Sequence, residues 1–151
     1  VGFASTHKDR NGKPLCSKSG GTLPSNIPDI WGHFGMPAYS DGSKNIESIA
    51  EAVESGRAVS VSVNAGMLWE QDNAEGIKIP QDCYGDGGAN HAIGIMSCER
   101  DSVSGSITHF YINDTGRAYK RDACRRISVS DFLKAFNVKR ACATISQKPV
   151  W

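Results

Sequence analysis

Among the side chains that could do chemistry in this sequence, His91 is the best placed to move a proton. It opens the apolar stretch HAIGIMSC directly after the glycine-rich run YGDGGAN, so its imidazole stands at a strand end beside tightly turned backbone. A histidine there can simply cap nearby carbonyls, and its neighbours decide the matter. The next strand-like run, ITHFYIND, ends in Asn113-Asp114-Thr115-Gly116. If the two runs pair antiparallel, the end of the second lies beside the start of the first. Successive side chains of a strand point to opposite faces, so only one of Asn113 and Asp114 can meet His91. Asp114 is the first choice and Asn113 the second. A carboxylate bonded to one ring nitrogen fixes the tautomer, aims the other nitrogen at a substrate and stabilises the imidazolium formed in turnover. Asp114 can at the same time be a turn residue bonding its own backbone ahead of Gly116.

The elements that must position this pair follow from periodicity. Ile27, Ile30, Trp31 and Phe34 form the stripe of a short helix, closed by Gly35 and blocked from continuing by Pro37. Asn45 caps a second helix with Ile46, Ile49, Ala50 and Val53 as its stripe and Gly56 as its stop. Val59, Val61 and Val63 alternate with polar residues as in a half-buried strand. Residues 65–90 make a long connection containing Trp69, a candidate cleft wall, because connections of that length are usually functional or carry structure of their own. The two runs that follow are a hairpin joined by the polar turn ERDSVSGS. Ser128 caps a third helix with Val129, Phe132, Leu133 and Phe136 as its stripe and Asn137 at its end, and residues 141–146 are a last strand. Residues 7–22 have neither period and read as an irregular surface loop. The order predicts an α+β domain over residues 1–151, with N-terminal helices packed on a mostly antiparallel sheet.

Composition narrows the function. With 151 residues, 39% of them hydrophobic, the chain is long enough for one core without disulfides or metal. Seventeen basic against sixteen acidic residues leave a net charge of +1, without the broad basic footprint of a nucleic-acid-coating protein. A local run does exist: Arg117, Lys120, Arg121, Arg125 and Arg126 read as a solvated loop, or as a contact surface for an acidic inhibitor or target. Five cysteines form no C-x-x-C pair and read as free thiols of a reducing compartment. His7, His33 and His109 have no metal-ligand spacing, so no metal or other cofactor is expected. No run reaches the roughly 20 apolar residues of a membrane span, and no signal peptide opens the chain. Its start at Val1, without Met, suggests a portion of a longer polypeptide.

The run GGANHAIGIMSC followed by FYINDTG resembles the His and Asn/Asp half of the papain-like cysteine peptidases. It is closest in style to their bacteriocin-processing branch and to papain-fold toxin domains of bacterial polymorphic and type VI secretion effectors. LCSKSGGT, HFGMPA, NIESIAEAVESGRAVSVSVNAG and Leu68-Trp69 resemble the same group in order, so the likeness spans about residues 1 to 136. It implies a papain-like fold in which a cysteine at a helix N-terminus attacks a peptide carbonyl, His91 protonates the leaving group and Asp114 holds His91. Trp69 and Gly88 would line the substrate cleft. Cys16 is the lesser candidate for nucleophile, because Gly20, Gly21 and Pro24 oppose a helix starting at its thiol. Cys83, Cys98, Cys124 and Cys142 fit the motif less well. The resemblance therefore puts the nucleophile before Val1. It also implies a protein substrate, action in the cytoplasm of a target cell and restraint by an immunity protein. Two alternatives stand beside the hydrolase: a catalytically inactive papain-fold binding module, and a transglutaminase-like acyl transferase.

Overall fold

Three polar side chains begin helices by accepting a backbone N–H from the first turn: Asn45 from Glu47, Asn64 from Met67 and Ser128 from Asp131. In the computed structural model, which describes residues 23–73, 76–117 and 119–151, these caps open three of four α-helices. The helices are α1 (Ile27–His33), α2 (Ile46–Glu54), α3 (Ala65–Glu70) and α4 (Val129–Phe136). The strands are β1 (Ala38–Asp41), β2 (Val59–Val63), β3 (His91–Arg100), β4 (Ile107–Asn113), β5 (Arg125–Ser128) and β6 (Ala143–Ser146). They form one six-stranded sheet in the order β1-β6-β2-β3-β4-β5, with every neighbouring pair antiparallel. The chain is thus an α+β protein, as its element order leads one to expect. The loop expected over residues 7–22, with Cys16 and His7, lies outside the described residues.

One core lies between the sheet and α2, α3 and α4. Val61, Val63, Ile93, Ile95, Phe110 and Ile112 of the strands meet Ile49, Ala50 and Val53 of α2, Leu68 of α3, and Phe132 and Phe136 of α4. Phe132 sits edge-on to Phe110 and stacks on Phe136, both at 5.0 Å between ring centres. The long connection holds α3 and a short 3-10 turn, Gln81–Cys83.

Three expectations need correction. Helix α1 ends at His33, so Phe34 falls off the expected stripe and is exposed. Strands β1 (AYSD) and β5 (RRIS) are not legible, because neither carries the β-branched and apolar run that marks the equally short β6 (ATIS). Because β5 runs through the basic stretch, Arg125 is not in a solvated loop: it is buried, with its neighbour Arg126 facing outward.

Candidate functional site

His91 is the first residue of β3, paired with Val63 at the end of β2. On its other side β4 pairs antiparallel, with Asn113 opposite Gly94, and continuing that register brings Gly116 opposite His91. Asp114 follows β4 and is tied in place by its backbone N–H, which donates to the Asp122 carbonyl at 3.0 Å. From there its carboxylate reaches back under the imidazole. His91 Nε2 meets Asp114 Oδ1 at 2.7 Å, and the Gly116 N–H donates to the same oxygen at 2.8 Å. The Trp69 indole N–H donates to Asp114 Oδ2 at 2.8 Å. Asn113, exposed and facing Gly94, stays away from the ring.

Two consequences follow for charge and tautomer. Burial alone would push the Asp114 carboxyl up, but the bonds from His91, Trp69 and Gly116 outweigh it and hold the pKa down to about 2. The ionised carboxylate only accepts, so Nε2 carries the ring proton and, in the neutral ring, the Nδ1 lone pair is available. Nδ1 has no hydrogen-bond partner among the described residues. A proton-accepting nitrogen with its ring plane fixed from behind is the arrangement of a general base.

Gly116, which in the sequence only ends a turn, permits this contact. A Cβ there would lie 2.7 Å from Trp69 Cζ2 and 2.9 Å from His91 Cε1, closer than carbon atoms approach. Trp69 stands edge-on to His91 with 5.7 Å between ring centres, so indole, imidazole and carboxylate form one packed unit.

The placement of Trp69 depends on two asparagines that periodicity could not flag. Asn64, fully buried, caps α3 and donates to the carbonyls of Tyr84 and Gly88, each at 2.8 Å. Asn90 accepts from the Ala65 N–H at 2.9 Å and donates to the Cys83 carbonyl at 2.9 Å. The two ends of the long connection are thereby strapped to each other, fixing α3 and hence the indole. Gly66 lets the Tyr84 ring press against the helix, and Tyr84 Oη donates to Glu70 at 2.5 Å. That bond to a carboxylate pushes the phenol up to about 12. The signal was in the sequence as NAG and GGAN flanking the connection, but an asparagine's partners are not readable from spacing.

Two cavities adjoin the pair. His91 itself lines one of about 330 Å³, with Leu23, Pro24, Ile27, Ser62, Ala92 and Arg140. Trp69 and Gly116 line the other, of about 290 Å³, with Ile77, Ile79, Pro80, Tyr119 and three cations. Trp69 therefore borders a cleft, although from a helix and not from a loop. Gly88 lines neither cavity; a Cβ on it would strike the Arg140 guanidinium and Lys139, and its backbone serves Asn64 and Asp86.

The described thiols are dispersed. Cys83 lines the smaller cavity. Cys98 is pushed up to about 11 by burial and by its hydrogen bond to Glu54, which keeps it protonated. Cys124 is exposed in a left-handed backbone conformation (φ 59°), and Cys142 precedes β6. The basic stretch is largely paired: Arg117 and Arg121 reach Asp72 at 3.2 and 3.1 Å, and Arg126 reaches Glu99 at 2.8 Å. Among the described residues, no three His, Cys, Asp or Glu side chains group as a metal ion would need, and no helix is long and apolar enough to cross a membrane.

No family model matches the chain, and no solved structure matches it significantly. Uncharacterized proteins of Mycobacterium bovis and Mycobacterium tuberculosis are similar to it, each 26% identical over 125 residues that cover 77% of this chain. The chain spans about half the length of these curated relatives, 49%.

Proposed function

We propose that this domain is a papain-like cysteine peptidase in which His91 is the general base and acid and Asp114 its orienting carboxylate. The observation that carries the reading is the 2.7 Å contact between His91 Nε2 and a carboxylate held ionised by three N–H donors, with Nδ1 left available beside a cavity. A thiol presented in that cavity would give its proton to Nδ1 and attack the substrate carbonyl as thiolate; the imidazolium would then protonate the leaving amine, and water would release the acyl group. Asp114 stabilises the imidazolium throughout. Trp69 supports the reading by shielding the acid from water and by holding its second oxygen, so the carboxylate cannot turn away when the ring changes charge.

By the sequence resemblance, the same reading extends to a toxin module of a bacterial effector that acts on protein in a target cell's cytoplasm and is restrained by an immunity protein. The test is incubation of the full-length protein with a proteome-derived peptide pool and mass spectrometry of the products. New N-termini that disappear in the His91→Ala variant support the peptidase. Isopeptide cross-links would make it an acyl transferase, and an inert but folded protein would make it a binding module.

A further inference from the structure

The smaller cavity has a chemical character that the general base does not explain. Its walls are apolar, Trp69, Ile79 and Tyr119 among them, while Lys78, Arg117 and Arg121 also line it and no carboxylate does among the described residues. The guanidinium groups are held in place. Arg117 and Arg121 sit on the Tyr119 ring at 4.9 and 4.8 Å from its centre, a cation, ring, cation stack. Arg117 is further gripped by buried Asp122 at 2.7 and 2.9 Å, and both arginines reach Asp72. Lys78 differs: it is exposed, and no ion pair to it appears among the described residues. At about 290 Å³ the space is at the small end of what ligand pockets offer, enough for a side chain and adjoining backbone.

We propose that this cavity is the specificity pocket of the site and takes an acidic side chain of a peptide substrate, its methylenes against Trp69 and Ile79 and its carboxylate toward Lys78 and the arginine stack. The proposal rests on reading the site as one that acts on peptides. The pocket shares Trp69 and Gly116 with the catalytic pair, so the bound residue lies next to the carbonyl that reacts. An apolar wall excludes water from the stem, the two held arginines meet the charge without the entropy cost of ordering loose side chains, and Lys78, not already paired among the described residues, supplies the uncompensated positive charge.

The test uses two blocked heptapeptides that differ only in Glu or Gln at the central position, titrated into ¹⁵N-labelled full-length protein. The indole N–H resonance of Trp69, assigned through Trp69→Phe, reports the site. The Glu peptide is expected to bind about tenfold more tightly than its Gln partner at pH 7, the scale of one charge-assisted contact, and to shift the Trp69 indole signal. Lys78→Glu, a change at an exposed position, should erase the difference. Equal affinities, a preference that survives Lys78→Glu, or no binding of the Glu peptide at millimolar concentration would overturn the pocket assignment. Binding is read without turnover. A protein that prefers the Glu peptide yet cleaves nothing keeps the pocket and loses the peptidase, whereas cleavage without acidic preference does the reverse.

Discussion

Replacing Asp114 by Asn tests the centre of the site without needing to know a substrate. The carboxylate accepts three N–H groups, two on Oδ1 and one on Oδ2. An amide has one accepting oxygen, so in either orientation its NH2 must face at least one of the His91, Trp69 and Gly116 donors inside a buried site. The size of the loss follows from the pKa: lowering this carboxyl from 3.8 to about 2 is equivalent to about 2 kcal/mol in favour of the folded state. The sign is that of a depressed acid. The stabilisation is complete above the unfolded value near 4 and disappears as pH falls through the folded value near 2. At pH 7, Asp114→Asn should therefore melt about 4–8 °C below the native protein, given the chain's size. By pH 2.5 only about a third of the free-energy gap should remain. Calorimetric melting of both proteins across this range measures it, with near-ultraviolet circular dichroism to establish that the variant is folded. A gap that is the same at pH 7 and pH 2.5 would show that the three donors do not hold the carboxylate ionised, and the orienting role would fall with it.

The remaining predictions use the same geometry. His91→Ala should cut peptide turnover by about a hundred- to ten-thousandfold while the melting temperature moves by only a few degrees, measured as rate and thermal unfolding on one preparation. Trp69→Phe keeps the ring but removes the bond to Asp114 Oδ2; it should cost about 1–2 kcal/mol by denaturant unfolding and raise the Asp114 pKa in a carboxyl NMR titration. Gly116→Ala forces the new methyl into the indole and imidazole, so turnover should drop at least tenfold, and the His91 ring signals should shift even where the fold survives. Asn64→Ala strands the buried Gly88 carbonyl, leaves the Tyr84 carbonyl with only its Gly87 N–H donor and uncaps α3, and should cost about 1–3 kcal/mol, with faster hydrogen exchange concentrated in residues 65–70.

The sequence carried the site further than the sheet. The pairing of His91 with Asp114 was legible because two long strand-like runs with a polar turn between them admit one simple arrangement, a hairpin, and its register puts their outer ends together. Side-chain parity left Asn113 or Asp114 open; the register that places Asn113 opposite Gly94 decides it. The helices capped by Asn45 and Ser128 were legible because cap, stripe and stop each marked out the same segment. The edge strands β1 and β5 were not, because their sequences AYSD and RRIS are mostly polar and each is supported by a single neighbouring strand. The role of Gly116 was hidden because a close approach across a sheet depends on which residue stands opposite. The pairing of Arg117 and Arg121 with Asp72 was hidden because that aspartate comes some forty-five to fifty positions earlier, in the long connection.

The straps made by Asn64 and Asn90 reach beyond stability. Since both ends of the connection are pinned to each other and to the sheet, the described residues between them, 71–73 and 76–80, are carried on a base fixed at both sides, the way a handle is riveted at its two feet. Ile77, Lys78 and Ile79 sit on that handle, whereas His91 and Asp114 do not. On the proposed reading, the composition of residues 76–80 can therefore be exchanged to alter the pocket wall while Asp72, which holds Arg117 and Arg121, and the His91–Asp114 contact stay as they are. If the pocket takes a substrate side chain as proposed, a change of preference would be sought at Ile77, Lys78 and Ile79 with the rest of the chain left untouched.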